Sequence, residues 1–211
     1  MNGKRIIACA LLAAAACAPA APALADATAA PAPYSQTAAA ACPSPQAQTV
    51  VDYLRVLTRA MQEISGPATQ MNLVNMPLLL IGQGPVPQVI TGLNSTTSLA
   101  DQAVAQISTL KPLTGCDAEA VADAYRAFAT VSQQTLNVLI GKAGVLGSAG
   151  QFAAPPIEAA LRQFEPANDA IAFTLINLLP DNAAGAAVKA DATSLASTLS
   201  TAITTYSNAG S

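Results

Sequence analysis

From Ser44 onward, apolar residues recur with the period of an α-helix. Val50, Leu54, Leu57, Met61 and Ile64 follow at steps of four, three, four and three, which puts them on one face. Ser44 is placed to cap this helix, with Pro45 at the first helical position. Gly66-Pro67 predicts a break or kink. Met71 to Ile81 reads as a more evenly apolar helical stretch interrupted at Pro77, ended by the breaker Gly82 to Pro87. The next helix carries Val89, Leu93, Leu99, Ala103, Ile107 and Leu110 and stops at Lys111-Pro112. A third opens near Asp117, with Val121, Tyr125, Phe128, Val131, Thr135, Val138, Lys142 and Val145 along one side, and ends at Gly147 to Gly150. Pro155-Pro156 starts a fourth, with Ile157, Leu161, Phe164, Asn168, Ile171, Leu175 and Leu178 as its stripe, up to Pro180. A fifth runs from about Asp181 to Tyr206 through Val188, Leu195, Leu199, Ala202 and Ile203. Strand-like alternation is missing. Amphipathic helices joined by short Gly/Pro connections predict an all-α antiparallel bundle of about five helices, spanning residues 45–208.

The chain before Ser44 has another character. Lys4 and Arg5 precede an uninterrupted apolar run from Ile6 to Ala18, and Ala23-Leu24-Ala25 supplies the small residues a signal peptidase needs. Residues 1–25 therefore read as a secretory signal cleaved before Asp26. Residues 26–44 are rich in Ala, Pro and Thr, have no apolar period, and include Pro31, Pro33 and Pro43, which predicts an extended linker whose Ser and Thr are candidate O-glycan acceptors. The expected location is extracellular or the cell wall. Thr205 to Ser211 is polar, so no glycolipid anchor is expected. Leu78 to Ile81 is too short an aliphatic run to span a bilayer.

Charge narrows the partners. Without the signal, seven basic residues face all 12 acidic ones, a net charge of −5. No basic patch exists to neutralise phosphates, which argues against nucleic acid and anionic membranes as partners. Charged residues are 10% of the chain, against roughly a quarter in ordinary globular proteins. Ala, Ser, Thr and Gln stand where Lys and Glu usually do, giving a weakly ionic surface suited to contact with apolar material. A glycan-solubilised, alanine-rich secreted protein has the same composition.

Cys9 and Cys17 lie in the signal, which leaves Cys42 and Cys116. Two cysteines in an exported chain most simply pair with each other, the alternative being two free thiols. Closing that loop of about 75 residues contributes roughly 4 kcal/mol in the chain-entropy model.

The catalytic inventory is nearly empty. There is no His, which removes the usual general base and the commonest zinc ligand. No Gly-rich phosphate loop occurs, and neither Lys142 nor Lys189 lies in a recognisable motif. The expectation is a protein without catalytic residues, metal or cofactor. Asn94-Ser95-Thr96 is an N-glycosylation sequon or a polar break in the second helix. Phe128, Phe152, Phe164 and Phe173 are the phenylalanines. They read mainly as core, with Phe128 and Phe164 as candidates to line a tunnel between alanine-rich helices.

Val131 to Lys142, the Gly147–Gly150 turn, the helix from Ile157 to Leu179 and the ending Ala202 to Ser207 together carry a likeness. The chain resembles fungal hydrophobic surface-binding protein A and the cell wall galactomannoproteins over roughly residues 50 to 207. That resemblance implies a secreted helical bundle that binds hydrophobic surfaces or encloses fatty acids between its helices. The lining it implies here is Phe128, Leu139, Leu161, Phe164, Ile171 and Leu175. The partner is then a fatty acid or other apolar ligand or surface, and recruitment of a secreted hydrolase is left open. Two other secreted types share the bundle: inhibitor modules of pectin methylesterases and invertases, which typically carry two disulfides, and structural cell-wall mannoproteins.

Overall fold

A computed structural model describes residues 42–75, 78, 82–148, 153–179 and 182–210. The proposed signal segment, nearly all of the linker and Phe152 lie outside the described residues. Among the described residues the domain has five helices: α1 (Pro45–Gln70), α2 (Pro85–Ile107), α3 (Cys116–Ser148), α4 (Ala154–Leu178) and α5 (Ala183–Gly210). The five-helix, all-α bundle expected from the apolar periods is the fold. Among the described residues no helix is long and apolar enough to cross a membrane.

Lateral order differs from chain order. α1 packs on α2 and α3, α2 on α4, α4 on α5, and α5 on α3, closing a ring in the order α1–α2–α4–α5–α3. The Thr135 hydroxyl donates to the Met61 carbonyl and Ser44 N–H to Asp117, so α1 and α3 run the same way. Gln133 to Ser194 and Tyr206 to Leu139 align α5 with α3. Leu113 N–H donates to the Leu178 carbonyl and joins the trailing ends of α2 and α4. Helices successive in the chain thus alternate in direction, while α1, α3 and α5 point one way and α2 and α4 the other.

The expected stripes of α1, α4 and α5 are all buried. On α2, Leu99 is only half-buried, and Thr96 and Ala100 take the inward positions instead. On α3 the buried face follows Phe128 with Ser132, Leu136, Leu139, Ala143 and Leu146, while Val131, Val138, Lys142 and Val145 lie at its edge.

Local chemistry explains the boundaries. Ser44 Oγ accepts from Ala47 N–H at 3.3 Å, as a cap should. Gly66-Pro67 does not end α1, which continues to Gln70 with Pro67 inside. Pro67 falls in the last turn, where its missing N–H deprives only the carbonyl of exposed Glu63. The α-helical stretch expected from Met71 is absent among the described residues, where residues 73–75 and 78 are in 3₁₀ conformation. Asparagine side chains are the cause. Asn75 and Asn72 Nδ2 both donate to the Gln70 carbonyl, and Asn72 Oδ1 accepts from Asn75 N–H, so they take the backbone groups a helix would use. α2 starts only after Gly82 (φ 70) and Gly84 (φ 91), left-handed positions that favour glycine. Within α2, a Cβ on Gly92 would lie 2.6 Å from Ile64 Cγ1, so glycine is what allows α1 and α2 to approach there. α2 ends at Ile107, earlier than Lys111-Pro112, where the hydroxyls of Ser108 and Thr109 turn back onto the carbonyls of Ala105 and Gln106.

Cys42 and Cys116 form a disulfide, with their Cα atoms 6.3 Å apart. Beside it the Asp117 carboxylate accepts from Ser44 N–H at 2.6 Å, and the Ser44 hydrogen bonding holds its pKa below the usual 3.8. The starts of α1 and α3 are pinned twice.

Candidate functional site

The ring encloses an interior built almost wholly from Leu, Ile, Val, Ala and Phe. Phe128 and Leu139 enter it from α3, and Leu161, Phe164, Ile171 and Leu175 from α4, all without exposed surface. α3 and α4 are not neighbours in the ring, so the six residues approach one core from two separate walls. Ala160 and Ala167 are buried on the α4 wall beside them. Phe173 points outward, 68% exposed, and is not core.

No Asp, Glu, Lys or Arg is buried among the described residues. The buried polar side chains are few and of two kinds. Thr96 donates to its own helix at the Gly92 carbonyl (2.8 Å), and Thr135 crosses to Met61 on α1 (3.1 Å). Tyr206, also buried, donates to the Leu139 carbonyl at 2.9 Å. By contrast Tyr125 Oη, Ser132 Oγ and both amide atoms of Asn168 have no protein hydrogen-bond partner. Burial pushes both tyrosine phenols well above the ordinary range. For Tyr125 the carboxylates of Asp191 and Asp169 push the same way. Asp191 is itself held by Arg126 Nε at 3.4 Å.

Two of these residues were visible in sequence as members of stripes: Asn168 between Phe164 and Ile171, and Tyr125 before Phe128. Ser132 was not, because the apolar Val131 beside it was the natural choice for the inward position. A polar residue standing in the phase of a buried face is the signal that marks such groups.

The rest of the surface offers little chemistry. Cys42, Cys116 and Asp117 lie within 4.8 Å of one another, but the sulfurs are bonded to each other and hold no thiolate for a metal. Lys142 is half-buried and Lys189 exposed. Asn94 is exposed in the middle of α2, while Thr96 of its sequon is buried. A groove of about 770 Å³ between α1 and α2, lined by Glu63, Ile64, Pro67, Gln88 and Ser95 among others, contains none of the six expected lining residues.

No protein-family model and no curated protein matches the sequence. Solved structures do match in fold. AfMP4p in complex with palmitic acid is similar with a TM-score of 0.65 at 17% identity, over 76% of this chain and 99% of that one. Ligand-binding domain 2 of the Penicillium marneffei MP1 protein, complexed with multiple arachidonic acids, gives 0.62 at 16% identity over 76% and 94%. Domain 1 of the same protein, with arachidonic acids, gives 0.55 at 18% over 73% and 98%. At these identities the likeness is one of fold: a helical bundle shared with fungal proteins that bind fatty acids.

Proposed function

We propose that this chain is a secreted or cell-wall protein, without enzymatic activity, that takes up a fatty acid within its helical ring. The observation that carries this reading is the uncharged interior, lined from two walls by Phe128, Leu139, Leu161, Phe164, Ile171 and Leu175, in a fold shared with proteins holding palmitic and arachidonic acids. An acyl chain gains about 0.8 kcal/mol per buried methylene, roughly 12 kcal/mol gross for a palmitoyl tail. Association entropy and head-group desolvation remove a large share of that. Membership of the hydrophobic surface-binding and galactomannoprotein family, cleavage after Ala25 and glycosylation of Asn94 belong to the same proposal.

Delipidated protein titrated with palmitic acid, followed by native mass spectrometry, tests it: saturable uptake supports the reading, and no uptake sinks it. Ala160→Phe or Ala167→Phe narrows the α4 wall and should abolish uptake at an overpacking cost of about 1–3 kcal/mol.

A second reading, adsorption to hydrophobic surfaces, is favoured by the α1–α2 connection, where Leu73 (56%), Val74 (85%) and Leu78 face solvent without a charge between them. Binding to polystyrene no greater than that of an acidic control of equal size would remove it.

A further inference from the structure

We propose that Asn168, with Ser132 and Tyr125, forms a head-group site inside the ring that selects an uncharged hydrogen-bonding head, a protonated carboxylic acid or a primary amide, over a carboxylate. The proposal rests on the fatty-acid reading above and adds the chemical form in which the ligand is held.

The three residues face the same interior, Tyr125 and Ser132 from α3 and Asn168 from α4. Tyr125 and Ser132 are seven apart on α3, two turns along the same face. Gly147 packs on Ala209, and Gly210 on Pro155. Counting back along α3, α5 and α4 from those contacts puts Asn168 at about the level of Ser132. A helical serine commonly returns its hydroxyl to a carbonyl of the preceding turn, as Thr58 and Thr174 do here. Ser132 does not. Leaving these atoms without partners in an apolar core is costly, and natural interiors seldom do so.

The donor and acceptor pattern names the ligand. A carboxamide carries a donor and an acceptor side by side, and so does a protonated carboxylic acid. The two pair through two parallel hydrogen bonds, Nδ2–H to the acid carbonyl and the acid O–H to Oδ1. A carboxylate has only acceptors, so it leaves Oδ1 without a donor, and burying an anion with no cation beside it is costly. The charged groups acting on Tyr125 are Asp191 on α5 and Asp169 on α4, with Arg126 shared between Asp191 and Asp123. Tyr206 on α5 is committed to Leu139, and α1 and α2 bury no titratable side chain among the described residues. The local field is negative and disfavours an anion, while Tyr125 keeps its proton as a donor.

The test uses delipidated full-length protein with palmitic acid, its primary amide and its methyl ester as probes, titrated from below to above the carboxyl group's own ionisation. Acid binding should weaken as pH rises while amide binding stays level. Asn168→Leu should lower acid and amide affinity by ~10-fold and lower that of the ester, which can accept from Nδ2–H but has nothing to donate to Oδ1, by less. Ser132→Ala, a smaller change, should move acid and amide in the same direction. Acid binding that tracks the amide at every pH, with both variants binding all three probes as the wild type does, overturns the proposal and leaves the cluster to internal water. Failure of every probe to bind overturns the fatty-acid reading itself.

Discussion

Tyr125 on α3 and Tyr206 on α5 are both buried without exposed surface, yet their hydroxyls are treated differently. Near the ends of α3 and α5, Tyr206 reaches across to the Leu139 carbonyl and fastens one helix to the other. Nearer the start of the same α3, Tyr125 packs its ring 6.0 Å from Phe128 and offers its hydroxyl to no protein group. The first region is finished by the chain alone. The second holds Tyr125, Ser132 and Asn168 with unused hydrogen-bonding capacity. Burial by itself does not separate structural polar groups from a binding site; the accounting of their partners does.

Several substitutions would break or sharpen that contrast. Replacing both Cys42 and Cys116 with Ser should lower the free energy of unfolding by about 4 kcal/mol in urea titrations. It acts through the unfolded chain, so both tyrosine regions weaken together. Asn168→Leu should raise the stability of the unliganded protein by about 1–3 kcal/mol, because it removes an amide the core leaves unpaired. A loss of stability would mean that the second region is as finished as the first.

Alkaline titration probes both phenols at once. Their pKa values are raised above 10.0 by burial, so the folded state keeps a proton that the unfolded chain releases. The associated stability is complete below pH 10.0 and is lost as pH climbs through the folded values, by about 1.4 kcal/mol per pH unit for each phenol. Tyr125→Phe and Tyr206→Phe should each remove one such contribution from the slope. At neutral pH the two should part: Tyr206→Phe costs about 1 kcal/mol for its lost hydrogen bond, and Tyr125→Phe less than about 0.5 kcal/mol. Equal costs in thermal unfolding would erase the contrast.

Much of the fold was legible because single helices obey a single period. The stripes of α1 and α4 needed nothing beyond spacing, and the cysteine pair followed from Cys42 and Cys116 being the two cysteines outside the proposed signal. α3 slipped where chemistry and geometry disagreed. After Phe128 the buried face steps to Ser132, but hydrophobicity favours Val131, and one residue of error carried Val138, Lys142 and Val145 to the edge. The stretch after Met71 misled for another reason, since its apolar residues imitate a helix while Asn72 and Asn75 unmake one. The lateral order of the ring was not legible at all. Periodicity says which face is buried but not which helix covers it. The interior site was half visible: Asn168 stood in its stripe, but only packing shows that its amide meets nothing.

The shared direction of α1, α3 and α5 has a mechanical consequence. The domain begins at the foot of α1 and ends at the head of α5. With α5 28 residues long, the two attachment points stand about 40 Å apart, at opposite poles. A pull between them loads the α1–α3 and α3–α5 seams along their length, in shear, with the disulfide bracing only the foot. Tandem copies joined head to foot would extend as a strut and not fold back as a hairpin. A reporter fused at each end would sit too far apart for contact, yet close enough for resonance energy transfer to register any loosening of the ring.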